Sequence, residues 1–198
     1  MIFSRSVAVR DAHDARGRKS VGSAPRGRGL DERLLAIFTG QRRTGLVSIA
    51  HTVTHLGSPT LMGAQVAALA AGTRDWRLLA VYVSGLATRH QVASVIDRAR
   101  PPREGWRETP IGPSFPSRHT TTALLGTLLI TERLTGSPGR AAAAGIAVGG
   151  AVGVSRLLLG VHWPSDVAGG AVFAYLWWAL FGRRTSPLST PLTYAPGR

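Results

Sequence analysis

Ser155-Arg156-Leu157-Leu158-Leu159-Gly160-Val161-His162-Trp163-Pro164-Ser165-Asp166 sets an arginine, a histidine and an aspartate at fixed offsets inside otherwise apolar sequence. Offsets of four bring His162 and Asp166 together across one helical turn. Pro164 suits the first turn of a helix, where its missing N–H costs nothing. Asp166 then lies near a helix start, where the dipole favours a carboxylate. Apolar, small-residue sequence runs outward on both sides, which predicts one helix over 139–159 and another over 164–182.

Two further segments complete the pattern upstream: Arg100-Pro101, and Pro116-Ser117-Arg118-His119, which reads as a helix entry with Ser117 as its cap. These residue types suit phosphoryl transfer. A phosphomonoester spreads charge over its equatorial oxygens in the transition state, so cations or N–H donors must converge on one point. Arg100 and Arg156 supply planar forks for that task. His162 held by Asp166 fits a nucleophile kept in one tautomer, and His119 fits the acid that protonates the leaving oxygen. Free N–H groups at the helix start near Arg118 would also face the phosphate.

The order of the three segments and the S-R-x5-H-x3-D spacing resemble the type 2 phosphatidic acid phosphatase family, which shares its site with vanadium haloperoxidases. The resemblance covers roughly residues 55 to 182. It implies an all-α, multi-span transmembrane bundle that hydrolyses a lipid phosphate or pyrophosphate without metal or other cofactor. Candidate substrates are polyprenyl pyrophosphate, phosphatidylglycerol phosphate, phosphatidic acid and a prenyl-linked sugar phosphate. It further implies that His162 forms a phosphohistidine, Asp166 orients it and His119 is the general acid. Arg100, Ser117, Arg118 and Arg156 would bind the phosphate.

The chain departs from the family pattern twice. The second motif has Arg118 where glycine is usual, and the first has Ala93 where a lysine would fall. Lys19 is the single lysine among 24 basic residues, so the composition favours arginine wherever a cation suffices. Arg89, Arg98 and Arg118 are the three replacements in reach, and Arg118 is the first choice because it adjoins two site residues. The departures also motivate a second reading, a family member that binds lipid phosphate without turnover. A haloperoxidase is the third, disfavoured by a short, membrane-like chain.

With 198 residues and no cysteine, the chain is one domain plus a tail, without disulfides or thiolate metal sites. Charges crowd the first 43 residues and the 97–108 segment, leaving long uncharged runs elsewhere. That segregation predicts a membrane protein with helices at 57–73, 77–97, 118–135, 139–159 and 164–182. Gly145 and Gly149 form a G-x-x-x-G spacing that lets helices approach closely. Gly57-Ser58-Pro59 breaks the long apolar run, so 44–56 reads as a short interfacial helix or the end of an additional span. The expected layout is a disordered basic tail over 1–30, an amphipathic or interfacial segment over 31–56, the membrane-embedded domain over 57–184 and a C-terminal tail over 185–198.

Arg74, Arg77, Arg140, Arg183 and Arg184 would share the cytoplasmic side, which puts the motifs on the extracytoplasmic side of a multi-pass cell-membrane protein. The net charge of +14 points to anionic lipid headgroups, because the tail lacks the aromatic interleaving of a nucleic-acid binder. The reading admits a homo-oligomer. His51 and His55 stand four apart but have no acidic residue nearby to complete a zinc site, and Arg89-His90 reads as a buried ionisable pair flanking the pocket.

Overall fold

A computed structural model describes residues 29–40 and 42–183. Most of the basic N-terminal tail, Arg184 and the C-terminal tail lie outside these residues. Every regular element among them is helical: α1 (Leu30–Gly40), α2 (Thr44–Thr54), α3 (Pro59–Thr73), α4 (Trp76–Ile96), α5 (Arg118–Thr135), α6 (Pro138–Leu158) and α7 (Pro164–Trp177), the last prolonged by a π-helical turn (Trp178–Gly182). The five helices read from the sequence are present, each within a residue or two of its expected ends except α7, whose α-helical part stops at Trp177.

Local chemistry sets the helix starts. Ser58 and Ser137 accept hydrogen bonds from the N–H groups of Leu61 and Arg140, and Pro59 and Pro138 occupy the first helical turn after each. At α5 the expected serine cap is absent. Ser117 occupies the cap position, but its hydroxyl accepts from Thr120 Oγ1 at 3.1 Å instead of capping a backbone N–H.

Helix α5 is the axis of the bundle. Its apolar side chains Leu124, Leu125, Leu128 and Leu129 pack with Met62 and Val66 of α3, Leu78 and Tyr82 of α4, Ala174 of α7 and Trp178. Helix α6 lies so close to α5 that a Cβ on Gly149 would stand 2.7 Å from Leu124 Cβ, and one on Gly145 would stand 2.9 Å from Leu128. The G-x-x-x-G spacing therefore works as a packing face, and Gly153 extends it one turn further against Val167.

The ends of the bundle differ. One end is closed by Arg133 on Asp75 (3.2 Å) and Trp178 Nε1 on Glu132 (2.6 Å). The other gathers the loop 97–117, the start of α5, the end of α6 and the start of α7, which brings all three sequence motifs together. Helix α2 lies across this second end. Arg42 just before it binds the Gly105 carbonyl at 2.8 Å, while Thr54 at its last turn and Gly57 beyond it touch Arg156 and His119.

Around the apolar core, buried polar groups and exposed apolar ones both occur. Arg89, Thr120, Thr121, Thr122, Ser155, Arg156 and Asp166 are buried, whereas Leu61, Val83, Ile146, Val154, Val172, Leu176, Leu180 and Phe181 are exposed. Among the described residues, α6 is the one helix both long and apolar enough to cross a bilayer by its own composition. The multi-span bundle that the sequence implies needs more than one such helix. Helix α4 matches α6 in length at 21 residues, but Arg77, Arg89 and His90 dilute its hydropathy.

Candidate active site

The site is built by folding three chain segments around the buried carboxylate of Asp166. One oxygen, Oδ2, accepts from the Ser114 hydroxyl at 2.5 Å and from the Trp163 N–H at 2.8 Å. The other, Oδ1, pairs with Arg98 Nη1 at 2.7 Å. His162 follows the end of α6 and is buried, with Nδ1 3.5 Å from Asp166 Oδ2, at the outer edge of a hydrogen bond. On its far side, Nε2 lies 3.2 Å from Arg100 Nη1. Arg100 is itself held by the carbonyls of Gly112, Ile111, Pro113 and Val161, at 2.7 to 3.1 Å.

Arg156 sits at the end of α6, buried, and its two terminal nitrogens reach Thr54 Oγ1 and Glu108 Oε1, both at 2.7 Å. A cavity of about 260 Å³ opens between these groups, lined by Arg100, Glu108, Thr109, Pro110, Ile111, Arg118, His119, Arg156 and His162. Three arginines and two histidines thus face one small volume. Burial pushes the His162 ring down to about 4, with the charges of Arg100 and Arg156 adding to the depression and the Asp166 carboxylate opposing it. The ring is neutral at neutral pH. Burial and the facing Arg156 also bring Arg100 down to about 10, which leaves it charged.

Six of the seven site residues read from the sequence meet here: His162, His119, Arg100, Arg118 and Arg156 on the cavity wall, and Asp166 behind His162. Ser117 is the exception. It is fully buried, its hydroxyl bonded to Thr120 and its N–H to the Asp166 carbonyl at 2.9 Å, and it is absent from the wall. Of the three arginines weighed against Ala93, Arg118 alone lines this cavity. Arg89 binds the Pro116 carbonyl through Nε and Nη2, and Arg98 is committed to Asp166, Ser165 and Asp31. The Arg89-His90 pair is only half buried, since His90 is exposed. Sequence reasoning missed Thr54, Glu108, Ser114 and Asp31. Each lies far along the chain from the group it serves, and the one signal that pointed to them was the need of a buried carboxylate or guanidinium for several partners.

The PAP2 superfamily model matches residues 75–186, more than half of the chain. The chain belongs to this superfamily. Among its relatives are the decaprenylphosphoryl-5-phosphoribose phosphatases of two Mycobacterium tuberculosis strains, each 32% identical over 142 residues that cover 65% of this chain and 74% of theirs. The fold is similar to the crystal structure of a transmembrane PAP2 type phosphatidylglycerolphosphate phosphatase from Bacillus subtilis, with a TM-score of 0.70 and 24% identity, covering 76% of this chain and 82% of that one. The protein is a PAP2-type lipid phosphatase, helical in every regular element among the described residues.

Proposed function

We propose that this PAP2 phosphatase removes the terminal phosphate of a prenyl-linked sugar phosphate through a phosphohistidine on His162. One observation carries the mechanism: the buried His162 faces a cavity of about 260 Å³ walled by Arg100, Arg118 and Arg156, with Arg100 beside its Nε2. His162 Nε2 forms a bond to phosphorus as the phosphorus–oxygen ester bond breaks. His119 gives its proton to the leaving oxygen, and the lipid departs as an alcohol. Water then attacks phosphorus, its proton passes to His119, and the nitrogen–phosphorus bond breaks to release phosphate. In this mechanism the substrate dianion offsets the surrounding arginines and so favours the protonated His119 that the step requires.

The prenyl-sugar substrate rests on the similarity to the decaprenylphosphoryl-5-phosphoribose phosphatases. A neighbouring hollow of about 270 Å³, lined by Pro59, Leu86, Arg89, His90, Ile111, Gly112, Pro113 and Arg118, shares Arg118 and Ile111 with the cavity. It offers an apolar path between the starts of α3 and α5 for the carbons next to the phosphate. The exposed apolar faces of α3 to α7 support a multi-pass arrangement, in which short or polar helices are completed by bundle-facing side chains. Arg74, Arg77, Arg140 and Arg183 stand at the end opposite the site, which supports an extracytoplasmic active site. The test is phosphate release by detergent-purified protein from a panel holding a prenyl-phosphoryl pentose phosphate, a polyprenyl pyrophosphate, phosphatidylglycerol phosphate and phosphatidic acid. The highest kcat/KM is expected on the first. A protein that binds the whole panel and turns over none of it would instead be the non-catalytic lipid-phosphate binder.

A further inference from the structure

We propose that Asp31, on α1 and outside the residues that define the superfamily, is a positioning residue that completes the His162–Asp166 pair; the inference rests on the reading of His162 as nucleophile. Asp31 is held at three points. Its Oδ1 accepts the Ser165 N–H at 2.9 Å, and its Oδ2 accepts the Ser165 hydroxyl at 2.5 Å and pairs with Arg98 Nη2 at 2.7 Å. Arg98 turns its other terminal nitrogen to Asp166 Oδ1 at 2.7 Å and to Ser165 Oγ at 2.6 Å. The result is a continuous row, Asp31–Arg98–Asp166–His162, in which the last two members are buried and the first two are partly exposed.

The row has an electrostatic purpose. As phosphorus bonds to Nε2, positive charge develops on the His162 ring, and a negative Asp166 stabilises it. A cation 2.7 Å from Asp166 works against that, since Arg98 alone would make the carboxylate–guanidinium pair net neutral beside a ring turning positive. Asp31 supplies the second carboxylate, so Arg98 can fix the geometry of Asp166 while the three groups together keep a net charge of −1. Ser165 reinforces the row, because it sits in the first turn of α7 beside Asp166 and binds both Asp31 and Arg98. The other charged or titratable groups near the row are Arg100, Arg156 and His119 on the pocket side of His162 and the buried Arg89, which faces Asp166; the arginines add to the need for compensation.

The test compares full-length wild type, Asp31→Asn, Asp31→Glu and His162→Ala in detergent on one accepted lipid phosphate, with a vanadate-binding measurement to confirm an intact pocket. Asp31→Asn should lower kcat about tenfold with KM within about twofold, and should move the acid limb of the kcat profile to lower pH, because an uncompensated Arg98 disfavours the charged ring. Asp31→Glu should recover most of the rate and the limb. A role confined to fixing α1 predicts weaker vanadate binding or a raised KM with the limb in place, and that outcome overturns the proposal, as does an unchanged kcat. If Asp31→Asn does not fold, Ser165→Ala, which removes one support of the same row, must reproduce the smaller kcat loss and limb shift; a normal profile sinks the idea. Activity retained by His162→Ala sinks the nucleophile reading instead, whatever Asp31 does.

Discussion

Arg100 donates to His162, its Nη1 lying 3.2 Å from His162 Nε2. A guanidinium has no lone pair to offer, so Nε2 carries the lone pair and the ring proton of the neutral histidine sits on Nδ1, facing Asp166. The tautomer needed for attack by Nε2 is therefore set before any substrate arrives. In the proposed mechanism a bound phosphoryl group would replace His162 as the partner of Arg100, so the same guanidinium would hold the ring in waiting and bind the group it attacks.

Loss of the ring should abolish chemistry. His162→Ala is expected to cut kcat by at least about a thousandfold, and Asp166→Asn by less, because the amide still accepts a hydrogen bond while losing the charge. Trapping of an acid-labile, base-stable phosphoenzyme in wild type but not in His162→Ala checks the covalent step directly.

The acid side of the pH profile follows from burial. With His162 pushed down to about 4, the nucleophile stays neutral well below the range of a free histidine, so protonation of this ring should limit the rate only as pH drops through about 4. That lies below the limb near about 6 that loss of the substrate dianion gives. Stability has the same sign. The unfolded ring takes up its proton near about 6.5, so the contribution of burying it neutral is complete above that pH and is lost as pH falls from there toward 4. Activity and thermal unfolding measured across pH 4 to 8 test both, and an enzyme limb above pH 6, beyond the substrate's own, would contradict the assignment.

Arg118 and Arg89 should behave differently. Arg118 faces the cavity, so Arg118→Gly is expected to cost about 2–4 kcal/mol of transition-state stabilisation with the fold intact. Arg89 holds the Pro116 carbonyl from a buried position, so Arg89→Ala should lower stability as well as rate. Ala93→Lys should not substitute for either, because position 93 is fully buried one turn from Arg89 and a lysine there overpacks the helix and adds a like charge. Equal thermal stability of all three variants would disprove this division of labour.

The α5–α6 contact gives a packing prediction. A side chain at Gly149 meets Leu124 within 2.7 Å, so Gly149→Val should destabilise by about 1–3 kcal/mol, while Gly150→Val, with open space around it, should change stability little. Unfolding in a fixed detergent compares the two, and similar values would show that α6 can retreat from α5.

Sidedness is testable because the chain has no cysteine. Gly105, at the site end, and Gly72, at the far end, both have open space around an added Cβ. A membrane-impermeant thiol reagent on intact cells is expected to label Gly105→Cys and spare Gly72→Cys, and the reverse pattern would place the site in the cytoplasm.

Local sequence was enough to place the five helices of the bundle and the close face at Gly145 and Gly149, and to nominate six residues that the fold gathers at one cavity. Apolar runs bounded by Ser-Pro give helix limits and small residues at i, i+4 give a contact face. The four-residue offset does bring His162 to Asp166, but across the cap of α7 and not within one helical turn, since His162 precedes Trp163. Tertiary structure decided what the sequence left open. It took Ser117 out of the pocket by bonding its hydroxyl to Thr120, and it assigned the three candidate arginines to three separate tasks. It also brought Asp31, Thr54, Glu108 and Ser114 to the partners they serve, at separations of 67, 102, 48 and 52 residues. The physical reason is that a buried charge recruits whichever donors and counter-charges the packing brings within about 3 Å, and that proximity is a property of how helices stack, which no local pattern records.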